Sequence, residues 1–270
     1  MAANPLARWF RRITSLLTVS FLLLALVASA ALGDHANDSC TLLSDANKQQ
    51  TSVAENSSPS GSRTGVSATI RAIDPNPAVQ TVIVRSLYIF KDSTQANFIE
   101  YGWKWLINVS ASTHVNDTFD FEPKPFAVRV ANGTYFLTEG PASNPPPGWA
   151  SVDPGTNHPF RIEANIDGSH PNTFYFFRDG LDSGNLFHGL MQNGFVVSGS
   201  EGNALCDSLF THHFSMQRET GAGWNTWSNA VKLTSSFGFP DKSKWWYFDK
   251  ISNGDYRLDH CTSANCSDVN

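Results

Sequence analysis

"FRIEANIDGSHPNTFYFF", residues 160–177, holds two apolar runs with a turn between them. In the first run Phe160, Ile162, Ala164 and Ile166 alternate with Arg161, Glu163, Asn165 and Asp167. A period of two is the mark of a half-buried β-strand. "GSHPN" then supplies the turn chemistry, and "TFYFF" returns with β-formers. The same pattern recurs on both sides. "TVIVRSLYIF" (81–90), "KDSTQ" and "ANFIEYGWKWLINV" (96–109) predict a hairpin. "FAVRVANGTYFL" (126–137) carries Asn132-Gly133, a strong two-residue turn signal because both positions tolerate positive φ. "LFTHHFSMQ", "WWYFDKI" and "YRLDH" add further strands, the last two joined by "SNGD". No segment keeps helical periodicity beyond about a turn, with "DSLFTHHF" the most ambiguous. Many short strands punctuated by Gly, Pro, Asn and Asp predict an all-β, antiparallel sandwich of the jelly-roll kind. Eight Trp and a 12% aromatic share suit two sheets around an aromatic core.

The longer phrase "HPFRIEANIDGSHPNTFYFFRDG" (158–180) resembles the paired strands near the middle of concanavalin-A-like lectin/glucanase sandwiches. The likeness extends in style over residues 66–260 and is sharpest at 158–180. It implies a concanavalin-like fold and a glycan ligand. The carboxylates that alternate as E-x-D-x-x-E in that class's glucanases are absent, since "EANID" lacks the middle acid.

The ends of the chain address a compartment. Arg8, Arg11 and Arg12 precede a mostly apolar run from Ile13 to Val27, and Ala28-Ser29-Ala30 follows with small residues. This is the pattern of a secretory signal peptide, too short to match the roughly 20 residues that span a bilayer. We expect cleavage after Ala30 or Gly33, a polar arm over 31–65, and a β-sandwich domain over 66–270, secreted and away from the membrane once processed. In an oxidising compartment four cysteines imply disulfides. The expected pairs are Cys261–Cys266, closing "CTSANC", and Cys40–Cys206, stapling the arm. No Cys-x-x-Cys or Cys/His spacing suggests zinc. A net charge of −5 with 16% charged residues argues against a nucleic-acid partner. Oligomeric state is not written in these features.

The candidate chemistry is sparse. No Gly-x-Ser-x-Gly elbow, His-Glu-x-x-His helix or phosphate loop occurs, and no cofactor is expected. In "NFIEYGWKWL" (97–106) alternation puts Ile99, Tyr101, Trp103, Trp105 and Ile107 in the core. Phe98, Glu100, Gly102, Lys104 and Leu106 share the other face, read as a polar groove in which Gly102 leaves space for a ligand beside Glu100. "IEYGW" is loosely similar to a strand phrase of neprosin-type glutamic peptidases. That resemblance implies paired carboxylates in a cleft, here Glu100 with Glu163 or Glu201, one acid kept neutral while the other activates water. Of the adjacent histidines, His212 reads as a core residue and His213 as a ligand-binding candidate on the polar face. Asp179, Asp182 and Asn185 in "FRDGLDSGN" are the weak candidates for calcium. The proline-rich segment 138–159 reads as a functional loop. Its Trp149, with Trp224 and Trp227 of "GWNTW", offers indoles on which sugar rings stack. The first expectation is therefore an extracellular carbohydrate- or polymer-binding module, and the second a secreted hydrolase of the glutamic-peptidase type.

Overall fold

The computed structural model describes residues 41–42, 49–55, 64–72, 81–107 apart from 93 and 95, 123–139, and 147–164 apart from 151, 153 and 154. It continues through 166, 168–191, 195–219 apart from 203 and 206–210, 223–232 apart from 229, and 246–260. The proposed signal segment and all four cysteines lie outside the described residues.

In chain order the strands begin with β1 (Thr41–Leu42), β2 (Gln49–Glu55), β3 (Gly65–Arg71), β4 (Thr81–Phe90), β5 (Phe98–Ile107), β6 (Lys124–Ala131) and β7 (Thr134–Glu139). A 3-10 turn at Pro147–Trp149 leads to β8 (Asn157–Ala164), β9 (Thr173–Arg178), β10 (Leu181–Phe187), β11 (Phe195–Gly202) and β12 (Ala204–Leu205). The chain then runs through β13 (Thr211–Glu219), β14 (Trp224–Thr226), β15 (Ala230–Lys232), β16 (Trp246–Ser252) and β17 (Asp255–His260). Sheet I has the order β15-β2-β11-β4-β5-β6-β7, and sheet II the order β10-β9-β8-β3-β13-β17-β16 with β14 beside the end of β13. β1 and β12 form a separate two-stranded ribbon. Every pairing is antiparallel, as the sequence pattern predicts.

The hairpins follow from turn chemistry. Asn132 (φ 49°) and Gly133 (φ 77°) join β6 to β7, and Asp179 (φ 54°) and Gly180 (φ 76°) join β9 to β10. Two successive positive φ values are the demand of a type I′ turn, which Asn/Asp-Gly meets at little steric cost.

Between the sheets lies one aromatic core. Ile99, Tyr101 and Trp103 of β5 point into it together with Phe160 and Ile162 of β8 and Phe174 and Phe176 of β9. Tyr101 meets Phe160 edge-on at 5.3 Å and Phe176 at 5.0 Å, while its hydroxyl lies 2.7 Å from Ser183 Oγ. Burial holds that phenol protonated well above its ordinary range. Arg85 is also enclosed, its guanidinium 5.9 Å from the Trp103 ring and donating to the Val84 carbonyl at 2.8 Å. Desolvation pushes its pKa down to about 9.

Sheet I leaves little room between β4 and β5. A Cβ built on Gly102 would stand 2.0 Å from the Arg85 carbonyl oxygen and 2.7 Å from Ser86 Cβ. Gly102 is thus required by close backbone approach; the space expected for a ligand is filled by Ser86. Gly102→Ala should destabilise the fold by about 2–3 kcal/mol, the upper range for overpacking. Chemical denaturation compared with the parent protein checks this.

Candidate functional site

The aromatic side of β5 lies in the core as its alternation predicts. The opposite side differs from the open groove that was expected. Glu100 retains 6% of its exposure, and Lys104, Tyr88, Phe90, Phe126 and Val128 around it are buried. In the register Glu100 stands between Tyr88 on β4 and Val128 on β6. Ser86 donates its hydroxyl to Glu100 Oε1 at 2.7 Å, which satisfies one lone pair of a carboxylate too enclosed for water to do so. Beside it Tyr88, Phe90, Phe98 and Phe195 stack across three strands, with centroids 4.8–5.5 Å apart for Phe90–Phe98, Tyr88–Phe90 and Phe90–Phe195. Phe98 is therefore part of an apolar cluster.

The three glutamates do not converge. Glu201 pairs with Val84, four residues along β4 from the Tyr88 that faces Glu100. At about 3.4 Å per residue and 4.8 Å per strand its backbone stands roughly 17 Å from that of Glu100. Glu163 belongs to sheet II.

Three other expected positions are interior. His213 is fully buried, opposite Ile70; its Nδ1 is hydrogen-bonded to Ser198 Oγ and its ring stacks on Tyr256 at 5.5 Å. The expected polar-face placement fails because a bulge between Phe214 and Gln217, with Ser215 at φ 54°, resets the alternation. The side chain of His212 lies outside the described residues. Trp227 is buried against Tyr256 at 6.4 Å. Trp149, in its 3-10 turn, is 8% exposed and packs edge-on to Tyr101. Loop indoles that fold inward plug the core, so Trp224 is the one of the three with substantial accessible surface. Asp179 bonds to His158 and Asp182 to its own turn at Gly184 N, 2.6 Å. Among the described residues no group of three His, Cys, Asp or Glu is placed to hold a metal ion.

Trp224 belongs to a groove on the outer face of sheet II. Val66, Ala68 and Ile70 of β3 turn inward, so Gly65, Ser67 and Thr69 face out. One rung across the sheet reads Tyr175, Glu163, Gly65, Glu219, Trp224; the next reads Phe177, Arg161, Ser67, Gln217, Thr226. The glycine is a consequence of the indole, since a Cβ at Gly65 would meet Trp224 Cη2 at 2.9 Å. At the other end the Arg161 guanidinium lies 4.1 Å from the Phe177 ring, a cation–π contact that keeps the long side chain flat. The half-open groove has a volume of about 360 Å³, with Pro159, Gly180 and Ser215 completing its walls. Five strands span about 19 Å, a length suited to an oligomer. Arg161, Phe177 and Gln217 were not singled out from the sequence as site residues. The outward phase of Arg161 was visible there, but which strands flank it is a property of the register.

Electrostatics in this rung are unfavourable to the ionised form of Glu163. Burial raises the pKa of Glu163 and Glu219 raises it further, while Arg161, whose Nε is 3.5 Å from Glu163 Oε2, opposes both.

No protein-family model and no curated protein sequence matches the chain. Solved structures share its fold. A Scytalido-glutamic peptidase, solved with a peptide-based transition-state analogue, superposes with a TM-score of 0.50 at 7% identity, over 83% of this chain and 100% of that one. SCP-B, a member of the Eqolisin family of peptidases, gives 0.46 at 7% identity over 83% and 100%. The carbohydrate-binding module CBM66 from Bacillus subtilis gives 0.34 at 11% identity over 62% and 88%. At 7% identity the likeness to the first of these is one of architecture alone, a two-sheet antiparallel sandwich.

The raised pKa of Glu163 has a sign. The folded chain holds that proton to higher pH than the unfolded chain, so the contribution is complete below the ordinary value of 4.5 and is lost as pH rises through the folded value. Melting temperature should therefore carry a fall above pH 4.5 that Glu163→Gln removes. Thermal melts of both proteins across the acidic range decide it, and parallel curves would assign the fall to other groups.

Proposed function

We infer that this chain is an exported binding module for a carbohydrate or related extracellular polymer, with the ligand laid across the outer face of sheet II. One observation carries the reading: a row of hydrogen-bonding side chains bounded by aromatic surface at both ends. Trp224 offers an indole face to the apolar C–H side of a sugar ring. Gln217, Ser67, Thr69 and Ser215 provide short donors and acceptors for ring hydroxyls, and Arg161, held on Phe177, adds fixed donors. Such a mixture of apolar surface and a few placed polar groups is the usual make-up of a ligand site.

Tryptophan fluorescence during titration with plant, fungal and bacterial oligosaccharides tests it. We expect a saturable change with at least one of them, and Trp224→Ala should weaken that binding about tenfold, the equivalent of 1.4 kcal/mol. The absence of any response would remove the chain from the glycan-binding class. The other reading, a glutamic-peptidase-type hydrolase, draws on the enclosed Glu100 carboxylate on sheet I. Casein digestion at acid pH, abolished by Glu100→Gln, would replace the first reading with the second.

Export predicts a crosslink as well. In the β1–β12 ribbon Thr41 faces Leu205 and Leu42 faces Ala204, the register that a Cys40–Cys206 bridge requires at the next position. Non-reducing peptide mapping of the secreted protein should recover Cys40 joined to Cys206, with an N-terminus near Ala31 or Asp34. A peptide joining Cys206 to Cys261 or Cys266 would overturn the pairing.

A further inference from the structure

At the edge of sheet II a side chain from the loop before β8, one from β8 itself and one from the β9–β10 turn form a continuous hydrogen-bonded line, on the side of β8 opposite the groove. Thr156 Oγ1 lies 2.6 Å from His158 Nε2, and His158 Nδ1 lies 2.8 Å from Asp179 Oδ2. A carboxylate only accepts, so Nδ1 carries the imidazole proton; in the neutral ring Nε2 is then the acceptor, and the Thr156 hydroxyl donates to it. This is the order nucleophile, base, orienting acid, with the two ring nitrogens used in the sense that acyl-transfer enzymes require. We propose that Thr156, His158 and Asp179 form a nucleophilic triad that hydrolyses carboxylic esters, its natural class being O-acyl groups on a saccharide whose chain runs past the Pro159–Gly180 end of the groove and round the sheet edge.

Each member is fixed by backbone. Gly155 donates its N–H to the Ala72 carbonyl at 2.9 Å and Ala72 returns one to the Thr156 carbonyl at 2.8 Å, which clamps the turn carrying the nucleophile to the end of β3. His158 sits in β8 opposite Ile70, with 13% of its side chain exposed. Asp179 occupies the left-handed first position of its turn, and its N–H bonds to the Pro159 carbonyl at 2.9 Å, so the strand that carries the base also positions the acid. Arg178 Nε lies 3.4 Å from Asp179 Oδ2 and helps hold that carboxylate in place. Thr156 is exposed, so an ester can reach it. Pro159 and Gly180, the chain neighbours of His158 and Asp179, are walls of the groove.

In the reaction Thr156 Oγ1 attacks the ester carbonyl carbon while its proton passes to His158 Nε2. Collapse of the tetrahedral adduct breaks the carbon–alkoxy bond, and the departing alkoxide takes that proton and leaves as the alcohol. Water then attacks the acyl-threonine, giving a proton to Nε2; the carboxylic acid departs and Thr156 regains its hydrogen. Asp179 stays hydrogen-bonded to Nδ1 and stabilises the imidazolium. The hydrolysis consumes one water and needs no other reactant. Only the saccharide part of the proposal rests on the glycan-binding reading; the triad stands on its own geometry.

The test uses the secreted full chain and p-nitrophenyl acetate, a small ester that needs no glycan site. We expect release of p-nitrophenolate and a transient acetyl group on Thr156, found by mass spectrometry after acid quench. Thr156→Val should abolish the adduct and Thr156→Ser should retain it. His158→Asn should slow acylation about a hundredfold, and Asp179→Asn should slow it as well, with folded content verified by melting. A trio that only pins the turn would move melting temperature and leave the adduct chemistry alone. No acetyl on Thr156, or an acylation rate unchanged in His158→Asn, overturns the triad. Release of acetate from acetylated xylan fragments supports the saccharide ester class. Binding of those fragments without acetate release overturns that class alone, whereas an acyl-Thr156 without any fragment binding overturns the glycan reading and leaves the triad intact.

Discussion

The sandwich depends on how closely β4 and β5 approach at Gly102. With no side chain there, the Arg85 carbonyl and Ser86 come within distances that any Cβ would forbid. That approach puts the Ser86 hydroxyl on Glu100 and sends Arg85 and Trp103, rung partners, together into the interior. Tyr101, one step along β5, then reaches Phe160 and Phe176 of the other sheet. The face of sheet II that looks away from this core is fixed in turn, because Phe160 pointing in compels Arg161 to point out.

The two faces of the molecule serve different ends. The outer side of sheet I is largely closed, with an aromatic ladder beside a carboxylate that receives a hydroxyl. The outer side of sheet II is open and chemically mixed, as a site for a polar ligand must be. A sandwich of this kind is a scaffold whose activity is decided by what stands on its faces.

The fold was legible wherever a local signal sufficed. Alternation assigned the two sides of β5, and Asn132-Gly133 announced its turn. Legibility ended where the answer depended on another strand. The phase of β13 was lost at Ser215, whose left-handed backbone leaves no compositional trace, and so His213 was placed on the wrong side. Trp149 and Trp227 looked like loop indoles because nothing in their neighbours reveals the tyrosines they pack on. Glu100 alternates with core residues and so reads as polar-faced; that the outer side of sheet I is closed is not encoded within β5. Thr156, His158 and Asp179 are individually ordinary, and only the β8–β9 register brings a residue from position 179 to one at 158.

The bulge at Ser215 carries a consequence for how this chain can change over evolutionary time. Before it His213 points inward; after it Met216 does. Deleting the extra residue there would restore strict alternation and regular pairing with β3, leaving Met216 inward and Gln217 and Glu219 outward as they now stand. Loss of that one residue should therefore be tolerated in descendants, whereas replacements at 215 are confined by its left-handed backbone to residues such as Gly, Asn and Asp. Lineages that keep the groove can differ by one residue in the spacing between His213 and Trp224, with the bulge or without it.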